Sequence, residues 1–512
     1  MVKNFWRAET GIFLGLWVLF MLAGQSRLFG DPGTFRQLGY GQYILSSGHL
    51  IYTDPFSFTY AGKPWIDYGW LFDLSMAFFH KIGGFDSVLL ITATILACLY
   101  TWVALRLIRR GIHWLVSILI IALSMAASSY HFHPRPHLAT IVLLGWTFSR
   151  LCDFETGRIS MRRLYWLIPL FVLWTNMHGG MVGGVATIGL AVMGWTIAKL
   201  AGKDTPILNY RQIVPLIGVT ILCGLTAFVN PYGVELPRVW FSLLGSPVLP
   251  RLIVEHAPLY SRPLDIVSLT VLLFGFFYLV ALAGTLPKWP RVTWLIPLIW
   301  LYLAFTRIRH GPLFAITAVI ALGDMFPHIR WVSWLTRHGS ELLRIQPSKR
   351  ITGKKRLNCR PALIPAILVL ITAMLQIAAI PVPVIGHGWV KVDPKRFPIE
   401  LLPELKQYEH EHPKGTPIFN DMLFGGFLIY YTPGLRVFID DRCELYGDKG
   451  LLAYEHTIKQ DPSQIDRWAQ QYGFDIALVQ NNSSFDRYLE SSNAWIRTHR
   501  TASASLYRKK PI

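Results

Sequence analysis

Charge is scarce in this sequence. Asp, Glu, Lys and Arg together make up 15% of 512 residues, against 52% hydrophobic and 14% aromatic. A water-soluble fold carries about a quarter charged residues, so a soluble globular class is excluded and most of the chain is expected to be solvated by lipid. Cysteine is sparse too. Cys98, Cys152, Cys223, Cys359 and Cys443 stand far apart, with no CxxC pair and no Cys/His metal spacing, which argues against a disulfide framework or a zinc module. Internal repeats and low-complexity tracts are also lacking.

What charge there is has a direction. The net charge is +19, yet residues 384–512 hold 16 basic and 16 acidic residues, leaving 33 basic and 14 acidic on the apolar remainder. Positive charge confined to the apolar part reads as membrane topology, and a nucleic-acid partner is not expected. Apolar stretches near the ~20 residues that cross a bilayer recur at 10–26, 86–108, 112–130, 138–152, 164–177, 180–200, 212–230, 265–285, 292–306, 310–326 and 361–383, about eleven spans. The first, preceded by Lys3 and Arg7, reads as a retained signal anchor. The stretch 67–83 carries Asp67, Asp73, His80 and Lys81 and reads as an interfacial or membrane-dipping helix.

With the amino terminus inside, the inside segments hold 23 Lys/Arg and the outside segments before the tail hold 10, as the positive-inside rule requires. The expected architecture is therefore a polytopic α-helical membrane domain (1–383) with a long first outside loop (27–85), followed by a small extracytoplasmic α/β domain (384–512). In that tail, 397–413 and 462–473 read as helices, 416–420, 435–441, 474–480 and 505–509 as strands, and 424–431 as either. Strands alternating with helices predict a parallel sheet.

Uncommon polar residues gather on the outside. Asp31, in a Gly-Asp-Pro-Gly turn, has two readings: a general base at the mouth of a cavity, or the cap of the helix that follows. Asp54 and Asp67 flank Gly62-Lys63-Pro64; they can bind a divalent cation or shape a sugar site, or serve turn chemistry. The segment HFHPRPH brings His131, His133, Arg135 and His137 together between spans, a composition suited to phosphate; its prolines and its lack of a neighbouring carboxylate make a metal the poorer fit. Asn176 and His178 end an apolar span, where polar groups either face a cavity or tie helices together. Arg307, Arg309 and His310 sit outside in a very short connection; they invite an anionic ligand or snorkel to headgroups. In the tail, Asn420/Asp421 and Asp440/Asp441/Arg442 follow strands, where α/β sheets build sites, while turn and capping roles explain each singly. The inside loops read as ordinary basic connectors.

With these residues in view, the chain resembles the GT-C superfamily of membrane glycosyltransferases, which includes protein O-mannosyltransferases, the lipid A aminoarabinose transferase and oligosaccharyltransferases. The resemblance rests on the acid opening the first outside loop (Asp31), the Gly62-Lys63-Pro64-Trp65 segment, and the series HPRPH, NMHGG, NPYG, NDMLFGG and VFIDDR, which looks like an uncharacterised bacterial group of that superfamily. It departs from the mannosyltransferases in having a single acid followed by Pro32, and from oligosaccharyltransferases in lacking the double tryptophan. It implies a bacterial inner-membrane enzyme that moves a sugar from a polyprenyl-phosphate donor to an extracytoplasmic glycan, lipid or protein acceptor, with inversion. Asp31 would be catalytic, and Lys63, Asp67, His133, Arg135, His137, Asn176, His178, Arg307, Arg309, Asp421, Asp441 and Arg442 would bind substrate. A divalent cation (Mg or Mn) is a conceivable cofactor, with Asp31 and Asp54 as its ligands. The competing classes are a transporter or flippase of a lipid-linked or anionic substrate, and a non-catalytic assembly protein of the same fold.

Overall fold

The computed structural model describes residues 8–261, 265–339, 341–343 and 360–510. Lys3, Arg7, Arg262, Cys359 and most of the basic residues of the 327–360 loop lie outside them.

Helix α1 (Ala8–Ala23) is apolar nearly throughout and buries Phe13, Trp17 and Met21. Helix α2 (Pro32–Ser47) starts where the Asp31 carboxylate accepts the Gly33 N–H at 2.8 Å and Pro32 takes the first helical position; it stops at Gly48, which closes it at φ 71°. All three are boundary signals of a helix. Helix α3 (Trp70–Arg109) runs 40 residues but breaks at Gly83 and Gly84. Gly84 lies at φ 66°, ψ −156°, which a side chain would oppose, so the arm 70–82 is distinct from the span beyond it.

There follow α4 (Trp114–Ser128), α5 (His137–Glu155), α6 (Leu167–Met177), α7 (Met181–Leu200) and α8 (Ile213–Leu225). Two short helices, α9 (Glu235–Gly245) and α10 (Leu249–Leu252), precede α11 (Ile266–Ala283), α12 (Val292–Thr306), α13 (Gly311–Met325), α14 (Arg330–Arg337) and α15 (Arg360–Ile377). Helix α13 is buried along its whole length and forms the centre of the bundle.

All eleven apolar stretches marked in the sequence hold helix. Among the described residues, six helices are long and apolar enough to cross a membrane, counted with their flanking turns: 70–109, 114–131, 181–200, 210–228, 266–283 and 308–328. Helices 8–23, 292–306 and 361–377 are apolar but shorter, α6 has 11 residues, and α5 carries Arg150, Asp153 and Glu155 in its last two turns. The chain is a multi-pass membrane protein.

Helices α3, α5 and α13 share one sense. Asp67, Arg135 and Arg309 lie just before their starts, and near their ends Arg106 touches both Asp153 and Asp324. The 19 residues of α5 span about 28 Å at 1.5 Å each, close to the thickness of a hydrocarbon core. The molecule thus has an Asp31 end and an opposite end.

The tail comprises α16 (Leu402–Glu411), β1 (Thr416–Asn420), α17 (Met422–Tyr431), β2 (Leu435–Val437), α18 (Cys443–Gln460), α19 (Gln464–Tyr472), β3 (Ile476–Gln480), α20 (Ser484–Ser491), β4 (Trp495–Arg500) and β5 (Ala504–Lys509). The sheet order is β2-β1-β3-β5-β4. Only β2, β1 and β3 are parallel; β5 is antiparallel to both β3 and β4, so the parallel sheet expected from the sequence is mixed. The reason is β4, a mostly exposed strand without the apolar run that marks a buried strand. It leads directly into β5 as a hairpin. The ambiguous 424–431 segment is helical, and α18 and α20 were not anticipated.

The first loop and the tail share a core. Phe35, Tyr40, Ile44, Ile51 and Trp65 pack with Phe397, Phe424, Phe427, Leu428 and Val437, and Ser57 pairs with Val437 as an added parallel rung beside β2. Helix α2 lies between α3 and α17, where glycines permit close crossing. A Cβ on Gly41 would stand 2.1 Å from the Asp73 carbonyl oxygen, and one on Gly426 would stand 2.7 Å from that of Pro32. The second glycine of NDMLFGG, Gly426, therefore seats the helix that Asp31 caps, while Gly425 packs against Ile439 and Asp440 within the tail.

Candidate active site

Asp31 is fixed from two sides. One carboxylate oxygen accepts the Gly33 N–H, and the other accepts from Arg135 at 3.0 Å. The same Arg135 nitrogen reaches Glu255 at 2.6 Å. Helix capping and a role in the cavity are therefore compatible for Asp31. Burial opposes ionisation of Glu255, but Arg135 and its cationic neighbours outweigh burial and hold that carboxyl below its usual range. The pair of acids keeps Arg135 charged against the desolvation it suffers.

Beside this triad lies a histidine cluster built on Arg309. Its guanidinium donates to Nε2 of His256 at 2.6 Å and to Nε2 of His137 at 2.7 Å. A guanidinium has no acceptor, so both Nε2 atoms must accept and both rings carry their proton on Nδ1. Those Nδ1 atoms are buried without partners among the described residues, as are Nε2 of His131 and Nε of Arg135. His137 stacks on His131 at 4.5 Å and lies 4.5 Å from His178. His178 is oriented by the Gly180 N–H at 3.1 Å and by Thr140 at 2.7 Å, whose hydroxyl accepts from Trp174. Burial first, then Arg309, pushes the His256 imidazole down to about 3 and lowers that of His178 as well. The rings are neutral donors beside permanent cations, a combination that stabilises an anion arriving among them.

A second flank is acidic. Arg36 on α2 stands 2.6 Å from Asp441 in ion contact, without the alignment of a full hydrogen bond. Burial raises the Asp441 carboxyl, while Arg36 and Arg135 pull it down. Asp67 lies beside the Asp73 carboxyl, accepts the Gly69 N–H at 3.1 Å through one oxygen, and has no aligned hydrogen bond on the other among the described residues. Burial lifts it to about 6. Tyr68 lies within the fields of Glu444, Arg36, Arg135 and Arg309, between the two flanks.

The sequence-selected residues divide into two groups. Asp31, Arg135, His137, His178 and Arg309 converge, with Asp67 and Asp441 on the acidic flank. The others do not join them. Arg442 is fully buried and grips Asp440 (2.7 Å) and Asp54 (2.5 Å) with Trp65 against its face at 4.8 Å. It clamps the first loop to the tail instead of facing a substrate. Asp54 is spent on that clamp and on Ser57 and the Phe56 N–H.

Asn176 donates to the Val172 and Val229 carbonyls and accepts from Trp70, which makes it a helix tie. Asp421 lies inside the tail, accepting from the Gln480 N–H at 2.7 Å and from Tyr454, and burial lifts its carboxyl to about 6. His133 bonds the Leu28 carbonyl, Arg307 donates to the Leu244 carbonyl, and Lys63 is exposed with its ammonium over Tyr60.

A divalent cation does not fit the acids first considered for it, since Asp31 and Asp54 each already hold an arginine. Among the described residues no group of three or more His, Cys, Asp or Glu is arranged to hold a metal ion. The sequence reading missed Glu255, His256 and Arg36. The only signal for the first two was an acid–histidine pair in a connecting segment; Arg36 lay in plain view one turn beyond Asp31.

No family model matches the chain, and no curated protein matches it in sequence. Solved structures do match its fold. An oligosaccharyltransferase of Archaeoglobus fulgidus, tethered with an acceptor peptide containing the NVT sequon, superposes with a TM-score of 0.53 at 12% identity over 92% of this chain and 69% of that one. ArnT of Cupriavidus metallidurans bound to undecaprenyl phosphate gives 0.50 at 12% identity over 98% and 97%, and the same protein in the apo state gives 0.51 over 97% and 96%. Both are GT-C glycosyltransferases, and over nearly its whole length this chain has their fold.

Proposed function

We propose that the protein is a membrane glycosyltransferase that takes a sugar from a polyprenyl-phosphate donor and passes it to an acceptor at the Asp31 end of the bundle. That end would face outward from a bacterial inner membrane, with the amino terminus cytoplasmic and the tail extracytoplasmic. The single observation that carries the reading is the convergence of an anchored carboxylate, Asp31, with buried donors on His137, His256 and Arg135 that have no partner among the described residues. A chain sharing its fold with ArnT bound to undecaprenyl phosphate supports the donor class.

In the proposed step the acceptor hydroxyl attacks the anomeric carbon. A bond forms from acceptor oxygen to that carbon while the bond from carbon to phosphate oxygen breaks. The acceptor proton passes to Asp31, which keeps a free lone pair on each oxygen beside the bonds from Gly33 and Arg135. The electron pair of the breaking bond goes to the polyprenyl phosphate, whose growing charge is met by Arg309, Arg135 and the Nδ1–H groups of His137 and His256. Attack opposite the leaving group gives inversion. No metal takes part in this scheme.

Purified protein supplied with radiolabelled polyprenyl-phosphate sugars and a panel of acceptors tests it. Asp31→Asn should keep the helix cap and membrane insertion while lowering transfer about 10²- to 10⁴-fold. Transfer at the wild-type rate by that variant removes Asp31 as the base.

A further inference from the structure

The ends of α3, α5 and α13 remote from Asp31 carry a second ionic cluster, which the transfer scheme does not use. Asp153 receives Arg106 (3.0 Å), Arg110 (3.2 Å), Arg158 (3.3 Å) and Arg150 (2.9 Å). Asp324 receives Arg106 (3.2 Å), Arg110 (2.9 Å) and Arg158 (2.5 Å). Both carboxylates are nearly buried, at 9% and 2% side-chain exposure. The acids are saturated, but the arginines are not. Four guanidinium groups against two carboxylates leave two positive charges over, and a guanidinium does not shed its proton. Arg106, 8% exposed, also donates to Ser149, yet among the described residues its Nε has no hydrogen-bond partner, and neither has that of Arg150.

Surplus charge with little water around it calls for a counter-ion. The rim of the cluster indicates where one would come from. Arg110, Arg150 and Arg158 are between a fifth and a third exposed. The Arg150 guanidinium lies 4.9 Å over the ring of Trp146, which is 42% exposed and sits 5.8 Å from Trp102. Arg150 and Arg158 flank the end of α5 at Glu155, so the rim lies where this span leaves the bilayer and meets lipid headgroups. We propose that this arginine rim binds a phosphate group, supplied by the headgroup of an anionic phospholipid in the leaflet opposite Asp31. Two guanidinium forks across one phosphate would neutralise the surplus. Inorganic phosphate has the same chemistry and is the other possible source.

The test uses the full chain purified in a zwitterionic detergent, read by native mass spectrometry and by thermal unfolding. The probes are short-chain phosphatidylglycerol, phosphatidylcholine and inorganic phosphate. Phosphatidylglycerol should be retained and should raise the unfolding temperature, with phosphatidylcholine doing neither. The double variant R150Q/R158Q should weaken phosphatidylglycerol binding about tenfold or more, while R150K/R158K, which keeps the charge but loses the forks, should bind between wild type and R150Q/R158Q. Protection by phosphate alone would assign the site to the free ion. Equal retention of the two lipids with no effect of phosphate, or undiminished phosphatidylglycerol binding by R150Q/R158Q, overturns the proposal. If R150Q/R158Q does not fold, the competition of the three probes on the wild-type chain decides. Sugar transfer reports on the other end of the bundle, so the two proposals fail independently.

Discussion

The two ends of α3, α5 and α13 both concentrate arginine, and they differ in what the arginines lean on. At the opposite end, Asp153 and Asp324 absorb seven guanidinium contacts, so the helix ends are tied together by permanent charges of both signs. At the Asp31 end, Arg309 leans on neutral histidines, which satisfy it and then offer unpartnered N–H groups of their own. A cluster whose acceptors are charged and saturated holds a fold. One whose acceptors are neutral and also donate turns unsatisfied N–H groups toward whatever enters, whereas the surplus at the opposite end rests on the arginines of its rim. The same residue type therefore performs different work according to its acceptor.

The sharpest way to break this contrast is Asp324→Ala. It strands Arg106, Arg110 and Arg158 with one carboxylate between them, and losing one partner of a buried network costs about 3–5 kcal/mol. Thermal or denaturant unfolding of the purified protein should show it, with or without donor lipid present. The mirror experiment is Arg309→Ala. If the Asp31 end is a transfer site, turnover should fall about 10²- to 10³-fold, as when an anion-hole donor is removed, while unfolding shifts far less than in Asp324→Ala. Equal destabilisation by both variants would erase the distinction drawn here.

A smaller effect belongs to the buried acids of the Asp31 side. Asp421 is lifted by burial from 3.8 to about 6. A raised carboxyl binds its proton more tightly folded than unfolded, so its contribution to stability is greatest below about 4 and is lost as pH rises to about 6. At 1.36 kcal/mol per unit the loss is about 3 kcal/mol. Asp421→Asn should flatten unfolding free energy between pH 4 and 6 relative to wild type, and an unchanged slope would reassign the effect. Asp67, also lifted to about 6, titrates over the same range, so Asp67→Asn is the paired control. The smallest effect expected is steric. Gly41→Ala drives a methyl into the Asp73 carbonyl, and overpacking of this kind costs about 1–3 kcal/mol; the Asp31 end should lose activity along with stability, since α2 carries Asp31.

Parts of the site could be read from the residues. Asp31 announced both its cap and its place at a loop mouth, and HFHPRPH supplied Arg135, His131 and His137 as one constellation. Arg442 and Asp54 illustrate the reverse. Each looked available because a strand end or a turn is where sites are built, yet their ion pair joins positions 388 residues apart, and no local pattern encodes that. Asn176 likewise looked like a cavity residue until Val229 and Trp70 were found to consume its amide. The basic loops between spans looked like plain connectors because the acids that organise them, Asp153 and Asp324, sit inside the ends of largely apolar helices and meet arginines from several of those loops only in the fold.

By itself the sequence determined the solvent of this protein, the helical stretches that lipid enforces, the change of character at the tail and the local caps and turns, because hydropathy, charge balance and capping act over a few residues. Only the tertiary structure decided which polar groups became acceptors for which arginines, whether the tail's sheet was mixed, and that Gly426 of the tail seats the helix of Asp31. Those outcomes depend on burial and on partners brought from distant positions, and a guanidinium carries the same chemistry in the sequence whether a carboxylate, an imidazole or nothing at all will meet it in the fold.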